Sequence, residues 1–104
     1  MINIDTTASF FVGLFSGFGT TSSFLPQVIH IYKTNSISGL SPYLLFIHIC
    51  GTTGWILYGF LRKDMIIISF NIISFTLLSL IICKYVQIYY LNSISRMIEI
   101  SSIV

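Results

Sequence analysis

Trp55 and Asn71 stand eight residues to either side of Lys63, the middle of the short charged run Arg62-Lys63-Asp64. Both flanks are apolar. If they form antiparallel helices joined at that turn, the two side chains lie at one level. At about 1.5 Å per residue that level is about 12 Å from the turn, near the middle of a hydrocarbon core about 30 Å thick. Tryptophan in a membrane span ordinarily sits at the interface, and an unpaired amide buried in lipid costs several kcal/mol. Asn71 therefore either bonds a neighbouring helix or lines a wet cavity. An indole face and an amide in one polar cavity suit a sugar ring. Its C–H faces stack on the aromatic plane, and its hydroxyls pair with a group that both donates and accepts.

Other solutes fit less well. A cationic substrate calls for a carboxylate at mid-depth, yet Asp5 and Asp64 both fall at the ends of apolar runs. Proton coupling calls for an intramembrane Asp, Glu or His, and only His48 qualifies. A neutral, hydrogen-bonded histidine is the expected state there, so the solute is expected to be neutral, polar and moved downhill. No run end gathers a nucleophile, a base and an orienting group, so an enzyme is not expected. Cys50 and Cys83 lie in apolar runs and are expected to be inert buried thiols. No metal and no cofactor are expected.

The elements that must position these residues are legible in the charges. The chain of 104 residues is 55% hydrophobic and 8% charged, about a third of the charged fraction of a soluble domain. Its charged residues are Asp5, Lys33, Arg62, Lys63, Asp64, Lys84, Arg96 and Glu99, and they bound uncharged runs of 27, 28 and 19 residues. About 20 apolar residues cross a bilayer as a helix, so each run is long enough. The expected fold is an all-α membrane protein, a three-transmembrane-helix bundle with helices at about 7–32, 41–61 and 65–90. Residues 1–91 form that unit and 92–104 a tail, either a short interfacial helix or disordered. The stretch 33–42 is rich in Ser, Asn, Gly and Pro and reads as a loop, with Pro42 suited to a helix first turn. The N-terminus carries Asp5 and no basic region, unlike a cleavable signal peptide. A net charge of +2 is too small and scattered to suggest nucleic-acid binding. Lys33, Lys84 and Arg96 on one side, against Arg62 and Lys63 on the other, place the 33–42 loop in the cytoplasm.

Polar residues inside spans should face protein or water. The first helix carries Ser9, Gly13, Ser16, Gly17, Thr20, Ser23 and Gln27 at spacings of three and four, on one stripe. Gly13 and Gly17 form a G-x-x-x-G that permits close helix approach. The stripe is a packing seam, a solute-lining face, or one at each end. The second helix has His48, Gly51, Thr52, Trp55, Tyr58, Gly59 and Arg62 on one face, and the third has Asp64, Asn71 and Ser74. Tyr32, Tyr85, Tyr89 and Tyr90 suit interfacial anchoring. Three helices cannot surround a solute while their other faces meet lipid, so an assembly is required, and a twofold dimer is the simplest.

The segments TTSSFLPQV (20–28), YKTNSISGLS (32–41), GTTGWILYGFLRKD (51–64) and NIISFTLLSLII (71–82) resemble the bacterial SemiSWEET sugar transporters. These are half-size relatives of SWEETs in the PQ-loop superfamily, and the likeness runs from about Phe10 to Tyr90. The resemblance implies one half-SWEET repeat per chain and a parallel homodimer in the bacterial inner membrane. It implies facilitated diffusion of mono- or disaccharides by alternating access, with the N-terminus outside and the C-terminus cytoplasmic. It assigns sugar binding to Trp55 and Asn71 and an extracellular gate to Tyr58, Arg62 and Asp64, with Arg62 of one protomer facing Asp64 of the other. Pro26 and Gln27 match the PQ motif, which implies a hinge in the first helix. Thr20, Ser23, His48 and Thr52 are further candidates for lining the pathway. His48 and Cys50 stand where the family usually has apolar residues.

Two alternatives stay open. A proton-coupled PQ-loop carrier of another small polar solute, such as an amino acid, would use His48. A non-transporting membrane subunit would use its polar stripes only for packing.

Overall fold

The computed structural model of the protein describes residues 4–103, with side chains from residue 7 onward. The elements in chain order are α1 (Ile4–Ser22), α2 (Phe24–Thr34), α3 (Pro42–Arg62) and α4 (Met65–Ile103). Three helical segments are long and apolar enough to cross a membrane, Thr7–Thr34, Pro42–Arg62 and Met65–Ile103. Only 11, 11 and 22% of their most apolar windows is buried within the chain. Apolar surface left so bare calls for lipid or another chain around it. The three-span expectation therefore holds.

The helices stand in a row. α4 is central, flanked on one side by α3 and on the other by α1 and α2. The thinnest dimension is 15 Å, so the row is a single layer. Its core, Phe24 and Ile31 of α2, Leu45 of α3, and Leu78, Ile81 and Ile88 of α4, lies toward the 35–41 connection. The ends of that connection follow from local chemistry. Asn35 takes the left-handed conformation at φ 50° and its N–H bonds the Ile31 carbonyl, closing α2. Ser41 caps α3, its hydroxyl accepting from Leu44 N at 3.4 Å, and Pro42 fills the first turn.

At the other end Lys63 (φ 55°) reverses the chain, and the N–H groups of Lys63 and Asp64 both bond the carbonyl of Gly59. So tight a turn presses the end of α3 onto the start of α4. A Cβ on Gly59 would meet Ile68 Cγ1 at 2.8 Å, Ile67 Cγ2 at 3.1 Å and the Ile68 backbone nitrogen at 3.2 Å. Gly59→Ala is therefore expected to destabilise the fold by about 1–3 kcal/mol. Gly54 has open space at its Cβ, so Gly54→Ala is the control. Thermal unfolding in detergent checks the pair, with a lowered midpoint expected for Gly59→Ala only.

In its helices and thiols the structure departs from the sequence reading in three places. The first span is two helices meeting at Ser23. Proline at 26 has no N–H for the carbonyl of Ser22, so the ladder opens three residues before the proline itself. The third helix does not end near residue 90 but runs to Ile103, 39 residues in all, so the segment 92–103 is helical. Cys50 and Cys83 are free, as expected, but exposed rather than buried. An apolar run in a layer one helix thick faces lipid as often as protein.

Candidate functional site

Because α4 is the middle of the layer, its inner face becomes the floor of a groove, with α1 and α2 as one wall and α3 as the other. The cavity measures about 730 Å³. Small residues open it. Gly13 and Gly17 let α1 close onto Ile66 and Phe70 of α4, so the G-x-x-x-G is a packing seam at this end. Ser16, Thr20, Ser23 and Gln27 of the same stripe face the open groove, as do the two glycines.

Across from them α3 contributes His48, Gly51, Thr52 and Trp55, and the floor contributes Asn71 and Ser74. Trp55 remains 54% exposed and meets Tyr58 edge-to-face at 5.4 Å. Its flat face is thus accessible while its orientation is supported. Asn71 is half-buried and donates from Nδ2 to the carbonyl of Ile67, one turn earlier in its own helix, at 2.8 Å. Among the described residues it makes no hydrogen bond to another helix. Its amide stands on the floor of the groove.

The bridge between helices belongs instead to Thr21, a residue the sequence reading passed over. Its hydroxyl lies 2.9 Å from that of Ser74 and donates to the Phe70 carbonyl at 3.2 Å. Thr20, its neighbour, only donates back to Ser16 in its own helix. Consecutive residues on a helix point about 100° apart, and the position of α4 decides which of the two threonines is buried. Phe24 and Phe70, which also line the groove, were missed as well. An apolar residue in an apolar run carries no signal.

His48 departs from expectation. Its ring makes no hydrogen bond among the described residues and instead meets Phe24 edge-to-face at 5.7 Å, because α2 presents an aromatic ring there and no acceptor. Thr52 is buried and donates to the His48 carbonyl at 2.7 Å. Every other described residue lining the groove is uncharged at all ordinary pH values.

Of the remaining predicted residues, Pro26, Tyr58, Arg62 and Asp64 lie outside the groove. Pro26 lines a separate cleft of about 470 Å³ on the outer side of α2, with Leu25, Ile29, His30 and Lys33. Around the break, side-chain hydroxyls bond neighbouring carbonyls of the same helix. Ser23 donates to the Thr20 carbonyl at 2.6 Å and Ser22 to the Gly19 carbonyl at 3.2 Å, while the backbone bond from Ser23 to Gly19 is stretched to 3.3 Å. The break between α1 and α2 thus carries a stretched backbone bond beside two hydroxyl-to-carbonyl bonds. Gln27 belongs to the groove wall. At the turn, Asp64 Oδ1 accepts from the backbone N–H groups of Ile66 and Ile67 at 3.0 and 3.3 Å. Asp64 is therefore the N-terminal cap of α4, a role the sequence reading did not foresee. Among the described residues no ion pair joins Arg62 to Asp64.

At the opposite end Lys84 Nζ stands 5.2 Å from the centre of the Tyr32 ring, and Tyr32 donates to the Leu80 carbonyl at 3.4 Å. Aromatic rings and a long cationic side chain at one level are what a membrane–water interface selects.

One layer of three membrane-length helices, with a nearly uncharged groove lined by hydroxyl, amide and aromatic side chains at its centre, defines a small helical membrane protein. The PQ loop repeat is matched over residues 8–68, and the chain belongs to the PQ-loop family. The sugar transporter SemiSWEET of Escherichia coli (strain UMEA 3162-1) is 36% identical over 62 residues, 60% of this chain and 70% of that one. The SemiSWEET of Leptospira biflexa serovar Patoc is 32% identical over 71 residues, 68% of this chain and 84% of that one. Among solved structures, a bacterial homologue of SWEET transporters matches with a TM-score of 0.71 at 36% identity, over 75% of this chain and 94% of that chain. A SemiSWEET in the inward-open conformation matches with a TM-score of 0.67 at 28% identity, over 88% and 94%. These relatives are transporters, not enzymes.

Proposed function

We propose that the protein carries mono- or disaccharides down their gradient across the bacterial inner membrane, as a parallel homodimer that alternates between outward and inward access. The observation that carries this reading is one groove holding an accessible indole, Trp55, and an amide free of other helices, Asn71. Similarity to proteins named as sugar transporters supports the solute class. A single layer encloses its groove on one side only, which supports a second copy closing it.

In this reading Trp55 stacks on the sugar and Asn71 bonds its hydroxyls, with Thr20, Ser23, His48 and Thr52 lining the path. Tyr58, Arg62 and Asp64 form the outer gate, where Arg62 of each protomer meets Asp64 of its partner. The joint at Ser23–Pro26 lets α2 swing and open the cytoplasmic side. The N-terminus lies outside, the C-terminus inside. Pro26→Ala restores a donor for the Ser22 carbonyl and stiffens the joint. Loss of about 1.4 kcal/mol of flexibility in the transition state slows exchange about tenfold. Sugar affinity should stay close to wild type. Counterflow rates alongside equilibrium binding check this, and wild-type rates would remove the hinge.

One observation favours a second reading. His48 is the only ionisable residue among the described groove-lining residues, and a proton-coupled carrier of an amino acid or similar solute would use it. Uptake of labelled glucose and sucrose into proteoliposomes, with and without an imposed pH gradient, separates the two. Saturable sugar uptake unaffected by the gradient supports uniport. Accumulation driven by the gradient and abolished in His48→Leu supports the alternative.

A further inference from the structure

α4 is 39 residues long, about 58 Å at 1.5 Å per residue, roughly twice what a bilayer core requires. Beyond Tyr90 it outruns every other element, and the distribution of its side chains changes there in one respect only. Within the bundle, the inner face carries Ser74, Leu78, Ile81 and Ile88, all buried. Past Tyr90 the same face continues as Asn92, Arg96 and Glu99, which are exposed and polar. The outer face does not change: Tyr90, Leu91, Ile94, Met97 and Ile98 follow the lipid-facing side of the span at spacings of three and four, each more than half exposed.

A helix standing free in water would be polar on both faces. One that pairs with its twin about a central axis would be apolar on the inner face. Over residues 91–99 this segment is polar inward and apolar outward. We propose that residues 91–99 lie along the bilayer surface on the side of the 35–41 loop, docked on the lipid at the headgroup–acyl boundary. In the structure α4 is continuous through residues 92 and 93, so docking on the lipid requires a bend there. When α4 turns outward from the bundle just past Tyr90, its outer face rotates up against the leaflet, and Arg96 and Glu99 rotate into water. Asn92 and Ser93, weak helix formers, stand where such a turn falls. Tyr85, Tyr89 and Tyr90 mark the interfacial level immediately before it.

The tail carries one charge of each sign, Arg96 and Glu99. Attachment is therefore driven by apolar burial and not by anionic lipid. The inference depends on the membrane span alone and not on the solute carried.

The test places a nitroxide spin label at Met97→Cys or at Glu99→Cys in a Cys50→Ser, Cys83→Ser background. The full chain is reconstituted in phosphatidylcholine vesicles with and without anionic lipid. Collision rates with oxygen, which concentrates in lipid, are compared with those of a water-soluble nickel chelate. The label at 97 should favour oxygen severalfold and the label at 99 the nickel chelate severalfold, with little change on adding anionic lipid. Nickel access at both positions would mean the helix stands in water and would overturn the proposal. Exclusion of both reagents at 97, with spin–spin broadening, would show a protein partner and overturn it equally.

Discussion

Trp55→Ala is expected to abolish measurable sugar uptake while leaving the proposed dimer intact. The indole is 54% exposed, so a sugar ring lying on it covers about 100 Å², half of the roughly 200 Å² an aromatic side chain can bury. At about 25 cal/mol per Å² that contact is worth about 2.5 kcal/mol, close to a 70-fold loss of affinity. If the proposed switch between outward and inward access keeps the same contact, the loss shows as a raised half-saturation constant and so as low uptake at sub-saturating sugar. Asn71→Ala removes hydroxyl pairing and has an effect in the same direction. Its side chain bonds only its own helix among the described residues, so truncation should spare the packing. Trp55→Phe keeps a smaller stacking face and should retain part of the uptake. Glucose and sucrose uptake, beside size-exclusion or cross-linking analysis of the dimer, checks all three. A variant that loses the dimer along with uptake would mean that the residue packs and does not bind.

Reversal of Arg62 or Asp64 alone is expected to abolish uptake, and reversal of both to restore part of it. Each single reversal sets two like charges against each other across the proposed twofold gate, and the double reversal makes them opposite again. Restoration is partial for a reason visible in the structure. Asp64 Oδ1 caps α4 through Ile66 and Ile67, and arginine at 64 forfeits that cap at a cost of about 1 kcal/mol. Asp64→Asn separates the two roles, since it keeps a capping oxygen and loses only the charge. It should unfold like wild type yet transport poorly. A double reversal no better than the worse single would remove the pairing between protomers.

The spans were legible because lipid leaves so little freedom: charge gaps set them, and Ser41 with Pro42 set the start of α3. The groove was legible in part for the same reason, since Ser16, Thr20, Ser23 and Gln27 recur at helical spacing and share a wall. What the sequence leaves open is which neighbour each apolar face meets. Cys50 and Cys83 face outward, and His48 meets Phe24 in place of an acceptor, because periodicity defines a face without saying what stands opposite. Thr21 and Thr20 are alike in sequence, and only the position of α4 makes one a bridge. The opening at Ser23 follows from proline chemistry once the lost bond is counted four residues back from Pro26. The length of α4 escaped notice because hydropathy falls after Tyr90 while helical periodicity does not.

Trp55 is the single tryptophan of the chain, so its emission reports on the groove and on nothing else. Fluorescence titration of the purified protein with glucose and with sucrose is the most direct measurement of the central claim, that a sugar is carried on this indole. A saturable change with at least one of the two, weakened in Asn71→Ala, is the predicted result. Saturable sugar uptake with an emission that does not move would put the sugar elsewhere and contradict the account.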